Sequence, residues 1–207
     1  MSESTAERRP RPRNAQATKA LLLRAATAEF AEHGMAGARI DRIAERAGAN
    51  KRLLYVYFGD KSALFDAVVR DQITAVMEAV PLPGGDLCAF AAARYDYVLA
   101  NPEAGRIAAW RTFEQAGPTA EELESFQERV DAVARAQREG RLRDDIPAAD
   151  LFAIVLRVTE SWLSAPPALR EVSGDGPSAS AEAAAERLRE HRAAMLAAVR
   201  SLAEPRS

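Results

Sequence analysis

The sequence predicts an all-α protein: an N-terminal three-helix module containing a helix-turn-helix, a connecting helix, and a C-terminal helical bundle. Three observations predict it. Apolar residues recur at i, i+3, i+4 and i+7 in one segment after another. No run shows the period-2 alternation or β-branched enrichment of a strand. Alanine is abundant throughout, which favours helix and close helix–helix approach.

Residues 1–14 hold Arg8, Arg9, Arg11 and Arg13 interleaved with Pro10 and Pro12. Two prolines in that register oppose helix, so the segment reads as a disordered basic arm. Such an arm can enter a minor groove, steer by charge, or simply solubilise. Residues 15–33 read as a helix with Leu22, Ala25, Ala26 and Phe30 inward, ended by Gly34. In 40–47, Ile40, Ile43, Ala44 and Ala47 form one buried face. Gly48 supplies the geometry that ends this helix, and Asn50 can cap the next through its side-chain oxygen. That next helix buries Leu54 and Phe58 and turns Lys51, Arg52, Tyr55 and Tyr57 outward. Residues 15–60 thus make the first domain.

The helix over 61–80 connects onward, with Asp60 placed to cap it and Pro81–Gly85 to stop it. Helices at about 86–100, 103–115, 119–139, 148–165 and 180–203 follow, separated by Asn101-Pro102, Gly117-Pro118, Gly140 with Pro147, and the stretch from Pro166 to Pro177. Residues 61–207 form the second domain.

A short helix that is apolar beneath and Lys/Arg/Tyr above suits a DNA major groove. Helix-turn-helix shapes also occur in proteins that bind only protein, and a Lys/Arg pair can be a solvated face. The charge distribution bears on the choice. The chain carries a net charge of −2, but residues 1–60 hold 11 Lys and Arg against 7 Asp and Glu, and the remainder 17 against 23. The halves are therefore +4 and −6, which points the basic end at a polyanion. The 207 residues, 48% hydrophobic and 28% charged, are those of a soluble globular protein. No apolar run approaches the roughly 18–20 residues that span a bilayer, and the Arg-rich start does not read as a signal peptide. The expected location is cytoplasmic. One cysteine, Cys88, and two histidines, His33 and His191, leave no disulfide framework and little for a metal. No metal and no cofactor are expected. A catalytic reading finds no nucleophile–base motif and no glycine-rich phosphate loop.

Four segments carry a family resemblance: Leu22-Leu23-Arg24-Ala25-Ala26, Phe30-Ala31-Glu32-His33-Gly34, Ile43-Ala44-Glu45-Arg46-Ala47-Gly48, and Leu54-Tyr55-Val56-Tyr57-Phe58-Gly59-Asp60-Lys61. Together they resemble the N-terminal domain of the TetR family of bacterial transcriptional repressors, without a gap from about Thr18 to Phe65. Asn101–Trp110 and Arg138–Leu151 resemble ligand-binding domains of that family. The resemblance implies that the helix from Lys51 is the recognition helix, in which Lys51 and Arg52 read bases. Each can donate to guanine O6 and N7, Arg in bidentate fashion. Leu53 stands where Thr, Ser or Asn is common and can touch a thymine methyl. Tyr55 and Tyr57 match backbone-contacting positions, and Lys61 matches a phosphate-binding lysine at a helix N-terminus. There are departures. Arg39 replaces a small hydroxyl residue, giving up a cap and gaining a cation able to reach phosphate. Arg52 replaces a small residue, and Val56 cannot make a polar backbone contact.

The resemblance also implies a homodimer on a palindromic double-stranded DNA operator, and release by a small-molecule effector. The candidate dimer surface is Ile154, Val155 and Val158, with Trp162 completing that stripe, and Leu188, Met195, Val199 and Leu202. Both stripes equally suit intrachain core. Candidate effector-pocket residues are Phe90, Tyr97, Trp110, Phe113, Phe126 and Trp162, with Arg94 and Gln115 as polar groups. Apolar walls with a few polar groups describe such a site, and aromatics at helical spacing equally describe core.

Overall fold

The computed structural model describes residues 12–114, 117–174, 176 and 179–206, with side chains from Ala15 onward and excepting 112–114. Among the described residues there are ten α-helices and no strand: α1 (Pro12–Gly37), α2 (Ile40–Arg46), α3 (Lys51–Phe58), α4 (Lys61–Ala79), α5 (Leu87–Ala100), α6 (Pro102–Glu114), α7 (Ala120–Arg138), α8 (Ala148–Val158), α9 (Pro167–Val172) and α10 (Ala181–Ala203). A 3-10 turn at Pro83–Gly85 separates α4 from α5. None of these helices is long and apolar enough to cross a membrane.

Three boundaries differ from the sequence reading. Helix α1 starts at Pro12, because a proline in a first turn gives up only an N–H that has no helical partner. The arm's Arg8, Arg9 and Arg11, and the side chain of Arg13, lie outside the described residues. Helix α8 stops at Val158 instead of about 165. Beyond it the Glu160 and Ser161 amides bond to residues three back, and Thr159 Oγ1 donates to Leu156 O at 2.7 Å. These bonds tighten the chain into turns. Helix α9 lies inside the stretch read as a breaker, with Pro167 at its start, where proline is again tolerated.

Contacts divide the described residues into two units. The first runs to Gln72 and includes α6 from Glu103; the second takes Ile73–Pro102 and the chain from Gly117. In the first unit, α1 contributes Leu22, Ala25, Ala26 and Phe30 to a core completed by Ile43, Leu54, Leu64, Phe65 and Val68. Phe30 and Phe65 meet edge-to-face at 5.1 Å. Each fully buried aliphatic or aromatic side chain contributes about 1.5–3 kcal/mol. From α6, Trp110 lies against Gly34 and donates its indole N–H to Ala31 O at 3.4 Å. Gly34 breaks α1 at φ 64°. A Cβ there would also stand 2.9 Å from the Trp110 ring, so backbone and packing both require glycine.

The second unit packs α5, α7, α8 and α10 around Leu87, Phe90, Tyr95, Val133, Leu151, Phe152, Val155, Met195 and Val199. Arg129 of α7 donates to the carbonyls of Met77 and Val80, both at 3.1 Å, and so caps the C-terminal end of α4. Burial first, opposed by Glu128 and assisted by Arg94, lowers the pKa of its guanidinium, which stays charged. Thr119 and Glu122 form a capping box at the start of α7.

Gly85 has φ 80°, and a Cβ there would lie 2.8 Å from the Ala132 carbonyl and 2.9 Å from the Ala136 methyl. Gly140 has φ 69°, with nothing near its missing Cβ. Gly85→Ala is therefore expected to destabilise the protein by more than about 2 kcal/mol, from left-handed strain plus overlap, and Gly140→Ala by about 1 kcal/mol from strain alone. Urea denaturation of both variants checks the ordering.

Candidate nucleic-acid interface

Helix α3 has eight residues, too few to be stable alone. Its supports lie at both ends and beneath. The Asn50 side chain accepts from the Arg52 amide at 2.8 Å, the expected cap. Leu54 is fully buried, and Phe58 is half-buried with Lys19 of α1 over its ring at 5.5 Å. The preceding turn passes through Gly48 at φ 59°, where the Gly48 and Ala49 amides bond to Glu45 O and Ala44 O. Beyond α3, Asp60 caps α4 by accepting from the Ala63 amide at 2.8 Å.

Helix α2 is fixed differently. Its N-cap position, Arg39, has no side-chain cap. Instead the Arg39 amide donates to Glu29 Oε1 at 2.9 Å, and Arg42 Nε donates to the same oxygen at 2.7 Å. Arg42 also reaches Gly37 O at 3.1 Å. Glu29 is fully buried on α1. Burial alone would push its carboxyl up, but the Arg42 hydrogen bond, the Arg39 amide, and the charges of Arg42 and His33 together hold it below its ordinary value.

Lys51, Arg52, Tyr55 and Val56 are the exposed residues of α3, at i, i+1, i+4 and i+5, which is one contiguous face. Arg39 is exposed at the head of α2. Lys51 Nζ pairs with Asp41 Oδ1 at 2.7 Å, which brings the N-termini of α2 and α3 together. The Asp41 hydrogen bond raises the Lys51 pKa, so the lysine is a fixed cation. Leu53 and Tyr57 are half-buried, and Lys61 donates to Ala36 O at 3.3 Å. Of the seven expected DNA-contacting residues, Arg39, Lys51, Arg52 and Tyr55 present the freest surfaces.

The expected effector residues do not form one group. Phe90 and Phe126 converge on Phe152, at 5.1 and 6.2 Å between ring centroids, and Tyr97 packs against the same core. Arg94 pairs with Glu160, which also pairs with Arg157 at 2.9 Å. Trp162 is buried, stacked on His191 at 5.3 Å, with the Arg187 guanidinium 4.4 Å from its ring. Burial first, then the Arg187 charge, lowers the His191 pKa. Trp110 is placed instead against α1. The Phe113 side chain and Gln115 lie outside the described residues. Two clefts, of about 380 Å³ at Ala31, Arg106 and Trp110 and about 280 Å³ at Cys88, Arg141 and Arg200, are lined by none of Phe90, Arg94, Tyr97, Phe126 and Trp162 among the described residues.

Three of the expected dimer residues point into the chain's own core. Val155, Met195 and Val199 are at most 2% exposed inside the chain's own core. Ile154 is 40% exposed, and Val158, Leu188 and Leu202 are half-buried. Beside them, Ala193, Ala194, Ala197, Ala198 and Ser201 form an exposed small-residue face on α10. Among the described residues no three His, Cys, Asp or Glu side chains are arranged to hold a metal.

Sequence reading missed Glu29 and Phe152, and gave His191 no partner. Glu29 was findable: it falls three, four and seven residues after Ala26, Ala25 and Leu22, on the buried stripe of α1, where a carboxylate must find a cation. The partner on another helix was not.

Residues 22–68 match the family described as bacterial regulatory proteins, tetR family, and residues 86–201 match the tetracyclin repressor-like C-terminal domain. The HTH-type transcriptional repressor SCO4008 of Streptomyces coelicolor is 36% identical over 174 residues, covering 82% of this chain and 90% of that protein. The HTH-type transcriptional repressor NicS of Pseudomonas putida is 29% identical over 159 residues, 70% of this chain and 75% of NicS. The crystal structure of SCO4942 from Streptomyces coelicolor aligns with a TM-score of 0.77 at 30% identity, covering 90% of this chain and 98% of that one.

Because the Glu29 pKa is lowered on folding, the charged group stabilises the fold at neutral pH, and that contribution is lost as pH falls through the lowered value. Glu29→Gln is expected to reduce unfolding free energy at pH 7 by about 1–3 kcal/mol, with the gap to the native protein narrowing in acid. Urea denaturation across pH 3–7 checks this; a pH-independent gap would contradict it.

Proposed function

This chain belongs to the TetR family of bacterial transcriptional regulators, and we propose that it is a repressor that binds a palindromic operator as a homodimer and leaves it when a small molecule binds. Membership makes it a DNA-binding regulator and not an enzyme. The observation that carries the proposal is the exposed face of α3, on which Lys51, Arg52 and Tyr55 project from a helix capped by Asn50 and anchored by Leu54. Arg52 can donate two bonds to guanine, Lys51 one, and the Tyr55 ring can lie along the sugar-phosphate backbone. Arg39 and Lys61 would meet phosphates, Tyr57 would assist at the backbone, and Leu53 would meet a thymine methyl. That SCO4008 and NicS are named repressors supports the sign of regulation.

One short helix discriminates too few base pairs, so two copies reading half-sites one helical turn apart, about 34 Å, supply the rest. The dimer would form on α8 and α10. Ile154, Val158, Leu188 and Leu202 retain exposed surface there, and the Ala193–Ser201 face permits close helix approach. In this division of labour, residues 15–60 bind DNA, and residues 61–207 bind the effector and the second subunit. The protein would act in the cytoplasm, where the DNA is.

The effector would be a largely apolar small molecule held in the second domain, near Phe90, Tyr97, Phe126 and Trp162, with Arg94 as a polar contact. It would act by population shift, favouring a conformer in which α4 moves and the two recognition helices no longer match the operator spacing. That shift can be no larger than the effector's differential affinity for the two conformers.

Sequencing genomic fragments retained by the purified protein tests the DNA reading. A palindrome is expected with the native protein and is expected to be lost in Lys51→Ala/Arg52→Ala, a drop of about fivefold or more for each guanine contact removed. Equal retention of random fragments by both would leave only non-specific electrostatics. For the dimer, Ile154→Asp is expected to shift sedimentation from dimer to monomer without unfolding the chain, since the side chain is 40% exposed.

A further inference from the structure

We propose that the effector is an organic acid: an otherwise apolar molecule whose anionic group takes a hydrogen bond from Arg94, in the field of Arg129, beside the rings of Phe90, Phe126 and Phe152. The inference rests on the proposed effector role of the second domain and names the chemistry of its ligand. Arg94 follows Phe90 by four residues on α5, and Arg129 follows Phe126 by three on α7, so each arginine shares a helix face with an aromatic. Phe90 and Phe126 both meet Phe152. The two guanidiniums thus flank one cluster of rings. Burial lowers the Arg129 pKa, Glu128 opposes this and the Arg94 charge adds to it, so the two cations are within electrostatic reach of each other.

Carboxylates do not match them. Arg129 donates to the carbonyls of Met77, Val80 and Ser125 and to the Ser125 hydroxyl, and among the described residues no carboxylate pairs with it. Arg94, with its side chain only 16% exposed, pairs with Glu160 through Nη2 alone, and Glu160 turns its other oxygen to Arg157. Arg94 Nε is fully buried and has no hydrogen-bond partner among the described residues. A buried donor on a charged group is costly to leave unpaired, and an acceptor that arrives with a ligand removes that cost. Because Nε is free while Glu160 holds Nη2, no existing pair has to break. Two guanidiniums against one shared carboxylate favour an acceptor that brings negative charge, through a charge-assisted bond. The rings then cover the apolar remainder of the ligand.

Calorimetric titration of the full chain with benzoate, 2-naphthoate and octanoate, each against its primary amide, tests the charge. Release of the protein from the genomic fragment it selects tests the effector role. At least one acid is expected to bind about tenfold or more tighter than its amide, and Arg94→Gln is expected to erase that difference. Glu160→Gln removes the neighbouring negative charge and is expected to tighten the acid about threefold while leaving the amide unchanged. This second variant keeps the test open should Arg94→Gln melt early. Arg138→Gln, exposed on the same helix as Arg129, is expected to change acid binding by less than about twofold. No binding, equal binding of acid and amide in all three pairs, or an acid preference that survives Arg94→Gln would overturn the inference. An acid bound through Arg94 that leaves the protein on its fragment would support the anion site and overturn the effector reading. Release by an amide as readily as by its acid would do the reverse.

Discussion

One buried carboxylate orients the DNA-facing end of this protein. Glu29 lies on the apolar stripe of α1, fully out of water, where an unpartnered charge would be prohibitive. Its Oε1 takes the Arg39 amide and the Arg42 guanidinium, one from the N-cap position of α2 and one from its first turn. Helix α2 has no side-chain cap of its own, so this shared acceptor does the capping from another helix and sets where α2 begins. The Gly48 turn follows from α2, and α3 from that turn. With eight residues, α3 cannot hold its own direction in water; it inherits that direction from α1 through Glu29 and from the core through Leu54. A base-reading face needs this rigidity, because hydrogen bonds to base edges tolerate little misplacement.

The second unit solves a related problem at the other end of α4. The last carbonyls of that helix have no helical partners, and Arg129 supplies donors to two of them from α7. Close by in sequence, Gly85 lets the chain approach the α7 backbone at a distance that no Cβ would allow. The C-terminal end of α4 and the turn after it are thus held to α7 by directed hydrogen bonds and a close approach as well as by apolar burial.

The sequence made the DNA-facing module legible because its determinants are local. Asn50 and Asp60 cap the helices that follow them, Gly34 breaks α1, and the apolar spacing of Ile43, Ala44 and Leu54 marks the buried faces, all within a few residues of what they control. What stayed hidden was long-range. Glu29 and Arg42 are thirteen residues apart and on different helices, and the Asp41–Lys51 pair spans a turn. In the bundle, apolar stripes on α8 and α10 were readable, but a stripe does not say what covers it; Val155, Met195 and Val199 turned out to face their own chain and Ile154 to face out. Phe90, Tyr97 and Trp110 were equally readable as aromatics, yet periodicity carries no information about which of them share a neighbour. Helix ends set by hydroxyls and prolines, as at Thr159 and Pro167, depended on bonds that compete with the helix pattern itself.

The most direct test of the account is a methylation-interference footprint of the native protein on the DNA fragment it selects. Two short major-groove half-sites centred about one helical turn apart are expected, with binding blocked by N7 methylation of a guanine in each, because in the proposed reading Lys51 and Arg52 donate to that acceptor. Binding indifferent to N7 methylation everywhere, or a single uninterrupted protected stretch, would contradict base reading by α3.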